Sequence, residues 1–411
     1  MPATLGAQGE VEFLAQLGFS SGLDPKTFRR APLNLVAVVD RSGSMGGQPL
    51  ELVRASLSAV ADQLGPGDQL SIVGYESTAH VMLKPTPAKD RKAIDRAIAE
   101  LVTGGATAME DGLAVGFELA GDSAKGFQGQ TRVMLFTDER PNVGRTDAGS
   151  FMAMARSASR QGIGMTTIGV STHFGAELAQ AISSVRGGNL FFFPDASKME
   201  AKFADEFDTM ITQLAFDLNI VVDPAPGMKI TGVYGLPGEA LEWRGDSIIL
   251  DVETIFVSKR KGAIYFGLSR DQSPNLPPAK LAPGDVVGQV ALAYEDAGDG
   301  KTYQGQAAFA LVDRQQAGLG LARGELLVDQ ATSLRLAMAR HHEHNDQEGA
   351  YRLVHALGVR MRQTSDAELA PEVELVARLE QTLAEASGHK GEGFDVDAID
   401  PVSGLPPRST P

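Results

Sequence analysis

The sequence predicts an α/β protein: a doubly wound, mostly parallel sheet, followed by an accessory β-sandwich and a C-terminal helical region. Three observations carry this expectation. From Pro32 to Leu214, short apolar runs alternate with segments whose apolar residues recur at helical spacing, as in a sheet with helices on both faces. After Leu214, strand-like runs follow one another with only Pro- and Gly-rich spacers between them, which is the pattern of a sandwich. From about Leu319 the helical spacing returns.

In chain order, Val11–Ser20 reads as a strand ahead of the α/β region. It is expected to pair with the sandwich, making the α/β region an insertion. The strands expected within that region are Leu33–Val39, Leu70–Tyr75, His80–Leu83, Arg132–Thr137, Met165–Val170 and Asn189–Phe193. The helices between and after them are Leu50–Leu64, Lys89–Leu101, Met109–Ala120, Ser150–Arg160, Ala176–Val185 and Lys198–Leu214. Pro49 suits a first helical turn. Only four residues separate Leu70–Tyr75 from His80–Leu83, so one sheet edge should be an antiparallel hairpin. The sandwich strands are Phe216–Val222, Lys229–Val233, Ser247–Val252, Ala263–Ser269, Val286–Tyr294 and Tyr303–Val312, and Trp243 is expected in their core. Helices follow at Leu327–His341, Gln347–Met361 and Ala367–Ala386, with breaks at Gly324 and Asn345. The domains are therefore 11–31 (a strand for the sandwich), 32–214 (α/β), 215–315 (sandwich), 319–387 (helical) and 388–411. That last tail has few large apolar residues and reads as disordered.

Composition narrows the function. With 411 residues, 43% hydrophobic and 22% charged, the chain has core enough for two or three domains. Its 52 acidic and 37 basic residues give a net charge of -15, which disfavours nucleic acid or an anionic membrane as partner. There is no cysteine, so thiol catalysis, disulfides and cysteine-ligated metals are excluded. No run of about 18 apolar residues occurs, so no membrane span is expected. Met1 to Glu10 has no signal-peptide pattern; the expected location is cytoplasmic, unless a leader has been removed.

The segment Leu33–Met45 concentrates the chemistry. An apolar run, Leu33-Asn34-Leu35-Val36-Ala37-Val38-Val39, ends in Asp40-Arg41-Ser42-Gly43-Ser44-Met45. A strand apolar on both faces belongs in the middle of a parallel sheet. Its last residue then lies at the carboxyl edge, where such sheets bind ligands. One carboxylate and two hydroxyls at i, i+2 and i+4 suit a hard divalent cation. Two later loops supply further oxygens: Gly104-Gly105-Ala106-Thr107, and Leu135-Phe136-Thr137-Asp138 at the end of another apolar strand. If these strands neighbour the first, Asp40, Ser42, Ser44, Thr107 and Asp138 converge.

These residues resemble the von Willebrand factor A domain family over roughly Pro32 to Leu214. The resemblance rests on Asp40-Arg41-Ser42-Gly43-Ser44-Met45, on Gly105-Ala106-Thr107 with Gly112-Leu113 behind it, and on Thr137-Asp138 followed by Pro141-Asn142. It implies a Rossmann-like fold and a metal-ion-dependent adhesion site (MIDAS). Ser42, Ser44 and Thr107 would touch Mg²⁺ (or Mn²⁺ or Ca²⁺) through hydroxyls, with Asp40 and Asp138 acting mostly through bound waters. A partner protein's Asp or Glu would complete the octahedron. The family commonly has Gly after the second carboxylate, whereas here Glu139 follows Asp138. The sandwich and helices resemble the accessory regions of bacterial members. The Gly104–Gly105 pair predicts that Thr107 is an adjustable ligand on a mobile loop.

The expected function is thus a non-enzymatic, metal-dependent protein-binding or adhesion module. An adaptor for a separate AAA+ ATPase or chelatase-type complex is the alternative among binding proteins, since the family includes such companions. A Mg²⁺-dependent phosphatase with Asp40 as nucleophile is the alternative from another class. Aspartate-based phosphatases usually carry a second acid two positions on, and here that residue is Ser42. No Gly-x-x-x-x-Gly-Lys-Ser/Thr occurs, which disfavours nucleotide hydrolysis, and Ser42–Gly46 is not Gly-x-Ser-x-Gly. The cluster His341, His342 and His344 reads as a solvated helix end, where cations meet the dipole favourably.

Overall fold

The computed structural model describes residues 11–19, 28–138, 142–144, 146–170, 181, 184–193, 196–235, 241–257, 262–271, 280–313 and 318–388. The expected helix Ala176–Val185 falls almost wholly outside these residues, as does the tail after Gly388.

Strand β1 (Phe13–Phe19) joins a sheet formed later in the chain. Then β2 (Leu33–Asp40), β3 (Gln69–Tyr75), β4 (Ala79–Pro87), β5 (Gln130–Thr137), β6 (Ile163–Gly169) and β7 (Gly188–Phe192) form a six-stranded sheet in the order β4-β3-β2-β5-β6-β7. All neighbours in it are parallel except β4, which runs antiparallel to β3. The three-residue connection Glu76–Thr78 dictates that edge. Helices α1 (Gln48–Gln63), α2 (Arg91–Ala99), α3 (Met109–Ala124), α4 (Ala148–Ser159) and α5 (Ala196–Ile211) cover the sheet.

The central strand explains the layering. All eight residues of β2 are buried. Successive side chains point to opposite faces, so Leu33, Leu35, Ala37 and Val39 pack with α1, α2 and α5. Val36 and Val38 pack with α3 and α4 on the other side. Helix α3 comes close because it offers glycines: a methyl at Gly112 would overlap the Tyr75 ring, and one at Gly116 would overlap Val38.

The second region has two antiparallel sheets. Its strands are β8 (Gln213–Pro224), β9 (Met228–Tyr234), β10 (Leu241–Arg244), β11 (Ser247–Phe256), β12 (Gly262–Arg270), β13 (Val286–Asp296) and β14 (Thr302–Ala310). They form a three-stranded sheet, β1-β12-β9, and a five-stranded sheet, β10-β11-β8-β13-β14. Ile220, Val222, Ile248 and Leu250 of the larger sheet share one core with Ala15, Ile264, Phe266 and Leu268 of the smaller. Strand β1 pairs with β12 from Phe13↔Leu268 to Phe19↔Gly262. A segment ahead of the α/β region thus hydrogen-bonds with one far behind it.

Trp243 departs from its expected core position. It lies on β10, a four-residue edge strand absent from the sequence reading, and is 39% exposed.

Helices α6 (Leu319–His342), α7 (Gln347–Arg362) and α8 (Ala370–Ser387) follow, with a short 3₁₀ turn at Ala367–Leu369 before α8. Ala337, Leu353, Val354, Leu357, Met361 and Val376 make their own core. Asn345 breaks α6 from α7 with φ 53°, a left-handed value that asparagine tolerates. Gly324 is not a break. It lies inside α6, where a methyl would overlap the Tyr265 ring, and the Tyr265 hydroxyl donates to the Gly320 carbonyl at 3.1 Å. That glycine serves close packing of helix on sheet.

Candidate metal centre

The carboxyl ends of β2 and β5 lie side by side, with Val39 opposite Phe136 in parallel register. That register alone places Asp40 beside Thr137 and Asp138. Both Asp40 and Asp138 are buried. Asp40 Oδ1 accepts the Ser42 backbone N–H at 2.9 Å. Its Oδ2 accepts the Thr137 hydroxyl at 2.9 Å and the Tyr75 hydroxyl at 3.1 Å. Ser42 Oγ and Ser44 Oγ are 3.0 Å apart, and Ser44 Oγ donates to Asp138 Oδ1 at 3.0 Å. Four of the five expected residues therefore form one connected network.

Thr107 enters on the neighbouring loop. The Gly104 N–H donates to the Arg41 carbonyl at 2.6 Å, and the Gly43 N–H donates to the Gly105 carbonyl at 3.1 Å. The Thr107 N–H donates to Asn142 Oδ1 at 2.8 Å, and the Asn142 N–H to the Thr107 carbonyl at 3.2 Å. The Thr107 loop is thus stitched both to the segment after β2 and to the segment after β5. The Thr107 hydroxyl itself is buried and has no hydrogen-bond partner among the described residues.

The loop expected to be mobile around Thr107 is held by several hydrogen bonds. Besides the bonds above, the Gly105 N–H donates to Glu76 Oε2 at 2.8 Å and the Ala106 N–H to Ser77 Oγ at 3.1 Å. A Cβ at Gly104 would lie 2.9 Å from Glu76 Cδ, and one at Gly105 would overlap the Ser77 hydroxyl. Neither glycine has a positive φ. A side chain at either would press on the Glu76 and Ser77 side chains of the β3–β4 hairpin, and hydrogen bonds tie the loop to that hairpin.

Electrostatically, burial pushes the Asp40 carboxyl above the ordinary aspartate range, against the pull of Ser42, Thr137 and Tyr75. Burial, followed by the Asp40 charge, holds the Tyr75 phenol well above its usual range. The phenol is therefore a permanent donor to Asp40. Tyr75 was not singled out in the sequence. Its signal was a polar-tipped aromatic closing an apolar strand, and its register opposite Asp40 shows only once β2 and β3 are paired.

Glu139 and Pro141 lie outside the described residues. His341 and His342 lie in the last turn of α6 and meet edge to face at 4.7 Å. Among the described residues, no group of three or more His, Cys, Asp or Glu could hold a metal. The set at the sheet edge differs in kind, since hydroxyls supply three of its five donors.

Residues 34–205 match the family model of the von Willebrand factor type A domain. The chain is 28% identical over 276 residues to the uncharacterized protein sll0103 of Synechocystis, covering 67% of this chain and 64% of that one. It is 28% identical over 207 residues to the uncharacterized protein YfbK of Escherichia coli, covering 49% and 36%. The chain thus spans less than two thirds of the length of these relatives. A solved von Willebrand factor type A protein from Catenulispora acidiphila superposes with a TM-score of 0.52 over 86% of this chain and 82% of that chain, at 15% identity. At that identity the likeness shows the fold alone. No helix among the described residues is long and apolar enough to cross a membrane.

Proposed function

We propose, from the premise that residues 34–205 form a von Willebrand factor type A domain, that its sheet edge binds a divalent cation and through it an acidic side chain of a partner protein. The observation that carries this reading is the Thr107 hydroxyl, which is buried without a partner among the described residues, beside a network of two serines and two aspartates. Leaving a buried hydroxyl unpaired costs about 1–3 kcal/mol, and a cation held by Ser42, Ser44 and Thr107 would recover it. An all-oxygen donor set fits Mg²⁺ or Mn²⁺ and disfavours zinc.

Each residue has its own task. Ser42, Ser44 and Thr107 are neutral donors, so they leave the bound ion electrophilic. Asp40 and Asp138 supply the negative charge from behind, and Tyr75 and Thr137 fix the orientation of Asp40. A divalent ion held by Ser42, Ser44 and Thr107 would supply attraction for a partner's carboxylate, an anionic oxygen being favoured over water. Val102 and Val143 are exposed on the loops of this edge, and they give the partner apolar contact around its acid. No catalytic group is assigned.

The same reading divides the chain. Residues 32–214 form the binding head, inserted between β1 and the rest of a sandwich that ends near 315. Residues 319–387 form a helical unit. Calorimetry with Mg²⁺ tests the site on the wild type and on Asp40→Ala with Ser42→Ala. The proposal expects binding by the wild type alone, and equal binding by both would sink it.

A further inference from the structure

The edges of the sheets are not treated alike. Edge strands offer unpaired backbone groups, and proteins blunt them with charge, proline or brevity. On the six-stranded sheet, the edge strand β4 carries Lys84, Pro85 and Pro87. On the five-stranded sheet, the edge strand β10 has four residues, two of them Glu242 and Arg244. The opposite edge of that sheet, β14, has none of these devices. It is nine residues long, Thr-Tyr-Gln-Gly-Gln-Ala-Ala-Phe-Ala, without a charge or a proline. All its residues except Phe309 are exposed. It pairs with β13 on one side, and among the described residues nothing pairs with the other.

We propose that β14 is a self-pairing edge, through which two copies of this chain join antiparallel into one ten-stranded sheet. The chain carries a net charge of -15, so a second copy is repelled over most of its surface. Thr302–Ala310 is a long exposed stretch with no charge of its own, and the acid beside it, Asp299, accepts the Tyr303 hydroxyl at 2.9 Å. A two-fold interface must also be self-complementary. Pairing about Gln306 sets Tyr303 opposite Phe309 of the other copy, and the same pair recurs on the far side of the axis. Gln304 then faces Ala308, and Gly305 faces Ala307. The sequence thus gives two aromatic cross-strand pairs, which stabilise antiparallel sheets, with small residues between them. Tyr303 already stacks on Tyr294 at 5.7 Å, and the Phe309 ring meets Phe266 at 5.8 Å in a tilted pair. Both rings are held on the face shared with the sandwich core, so pairing extends an existing apolar surface.

A single strand pair is a small interface, so the dimer should be weak and should strengthen with salt, because screening removes the opposing net charge. This surface lies on the sandwich and owes nothing to the metal edge.

The test uses the full chain. Sedimentation equilibrium between about 5 and 300 μM should show mass rising toward twice the monomer value, with the rise at lower concentration in high salt. Gln304→Lys with Ala308→Lys places like charges opposite one another across the pair, and it should return the protein to monomer with its circular dichroism unchanged. Because the chain has no cysteine, Gln306→Cys gives a clean cross-linking probe. Mild oxidation should join it into disulfide dimers at least tenfold faster than Lys92→Cys, an exposed control on α2. A monomer at every concentration, with equal cross-linking by the two cysteine variants, overturns the proposal and leaves β14 to a foreign strand. A dimer that survives the lysine pair places the interface elsewhere and overturns it too.

Discussion

Thr107→Val isolates the metal reading in one atom. Valine keeps the shape of threonine and removes only the hydroxyl. That hydroxyl is buried with no hydrogen-bond partner among the described residues, so no hydrogen bond within them is lost when it goes. An unpaired buried hydroxyl costs about 1–3 kcal/mol, and its removal should stabilise the chelated protein by about 1 kcal/mol. With metal the sign reverses. A ligand at about one hundred times its Kd adds about 2.7 kcal/mol to the wild type, and the variant, missing a donor, should gain almost none of it. The stabilities therefore cross: the variant is the more stable in chelator, and the wild type in Mg²⁺. Hydrogen exchange at amides of β2 and β5 reads this locally, which matters because the sandwich and helices add their own transitions. In chelator the variant should exchange about fivefold more slowly, the factor for about 1 kcal/mol. Mg²⁺ should slow the wild type alone. A variant that exchanges faster in chelator would show that Thr107 Oγ1 has a partner. One that still responds fully to Mg²⁺ would show that Thr107 is not a ligand.

Three more outcomes are expected. Asp68 accepts both Arg30 guanidinium nitrogens, at 2.9 and 2.5 Å, the Leu33 N–H at 2.7 Å and the Gly65 N–H at 2.6 Å; burial alone would raise its carboxyl, but these bonds outweigh burial and lower it. Its stabilising contribution is therefore full above the ordinary aspartate value of 3.8 and lost as pH falls through the lower folded value, so Asp68→Ala should cost about 3 kcal/mol at pH 7 and little in strong acid, as read by urea unfolding. The Asp40 carboxyl is raised, so its proton competes with metal at a higher pH than an ordinary aspartate's would; in chelator, stability should rise as pH falls through that raised value, while Mg²⁺ affinity by calorimetry should drop over the same window, and an affinity unchanged all the way down to the ordinary aspartate value of 3.8 would exclude Asp40. Gly112→Ala drives a methyl into the Tyr75 ring, which should destabilise by about 1–3 kcal/mol and also weaken Mg²⁺ binding, because Tyr75 holds Asp40; unchanged thermal unfolding would contradict the close packing of α3.

The sequence made some of this plain and hid the rest for identifiable reasons. Strand β2 was legible because it is apolar at nearly every position and then stops at a carboxylate. The alternation after it fixed the strand types, down to the antiparallel β4. Glycine was the main source of error. A glycine can serve motion, a break or close approach, and these look alike in sequence. Gly104 and Gly105 suggested a mobile loop, yet they make room for Glu76 and Ser77. Gly324 suggested a break, yet it makes room for Tyr265 inside a continuous helix. Trp243 misled because size alone argues for burial, while its four-residue edge strand is too short to announce itself. Tyr75 was hidden because the end of an apolar strand reads as core. Its hydroxyl acquires a role only through its register with Asp40.

The central claim is that Ser42, Ser44 and Thr107 hold a divalent cation open to an outside carboxylate. Anomalous diffraction from crystals grown with Mn²⁺ and a short acidic peptide tests it most directly. The account predicts one strong manganese peak among the three hydroxyl oxygens, with a peptide carboxylate oxygen on the ion. A peak elsewhere, or none at this edge at saturating Mn²⁺, would contradict it.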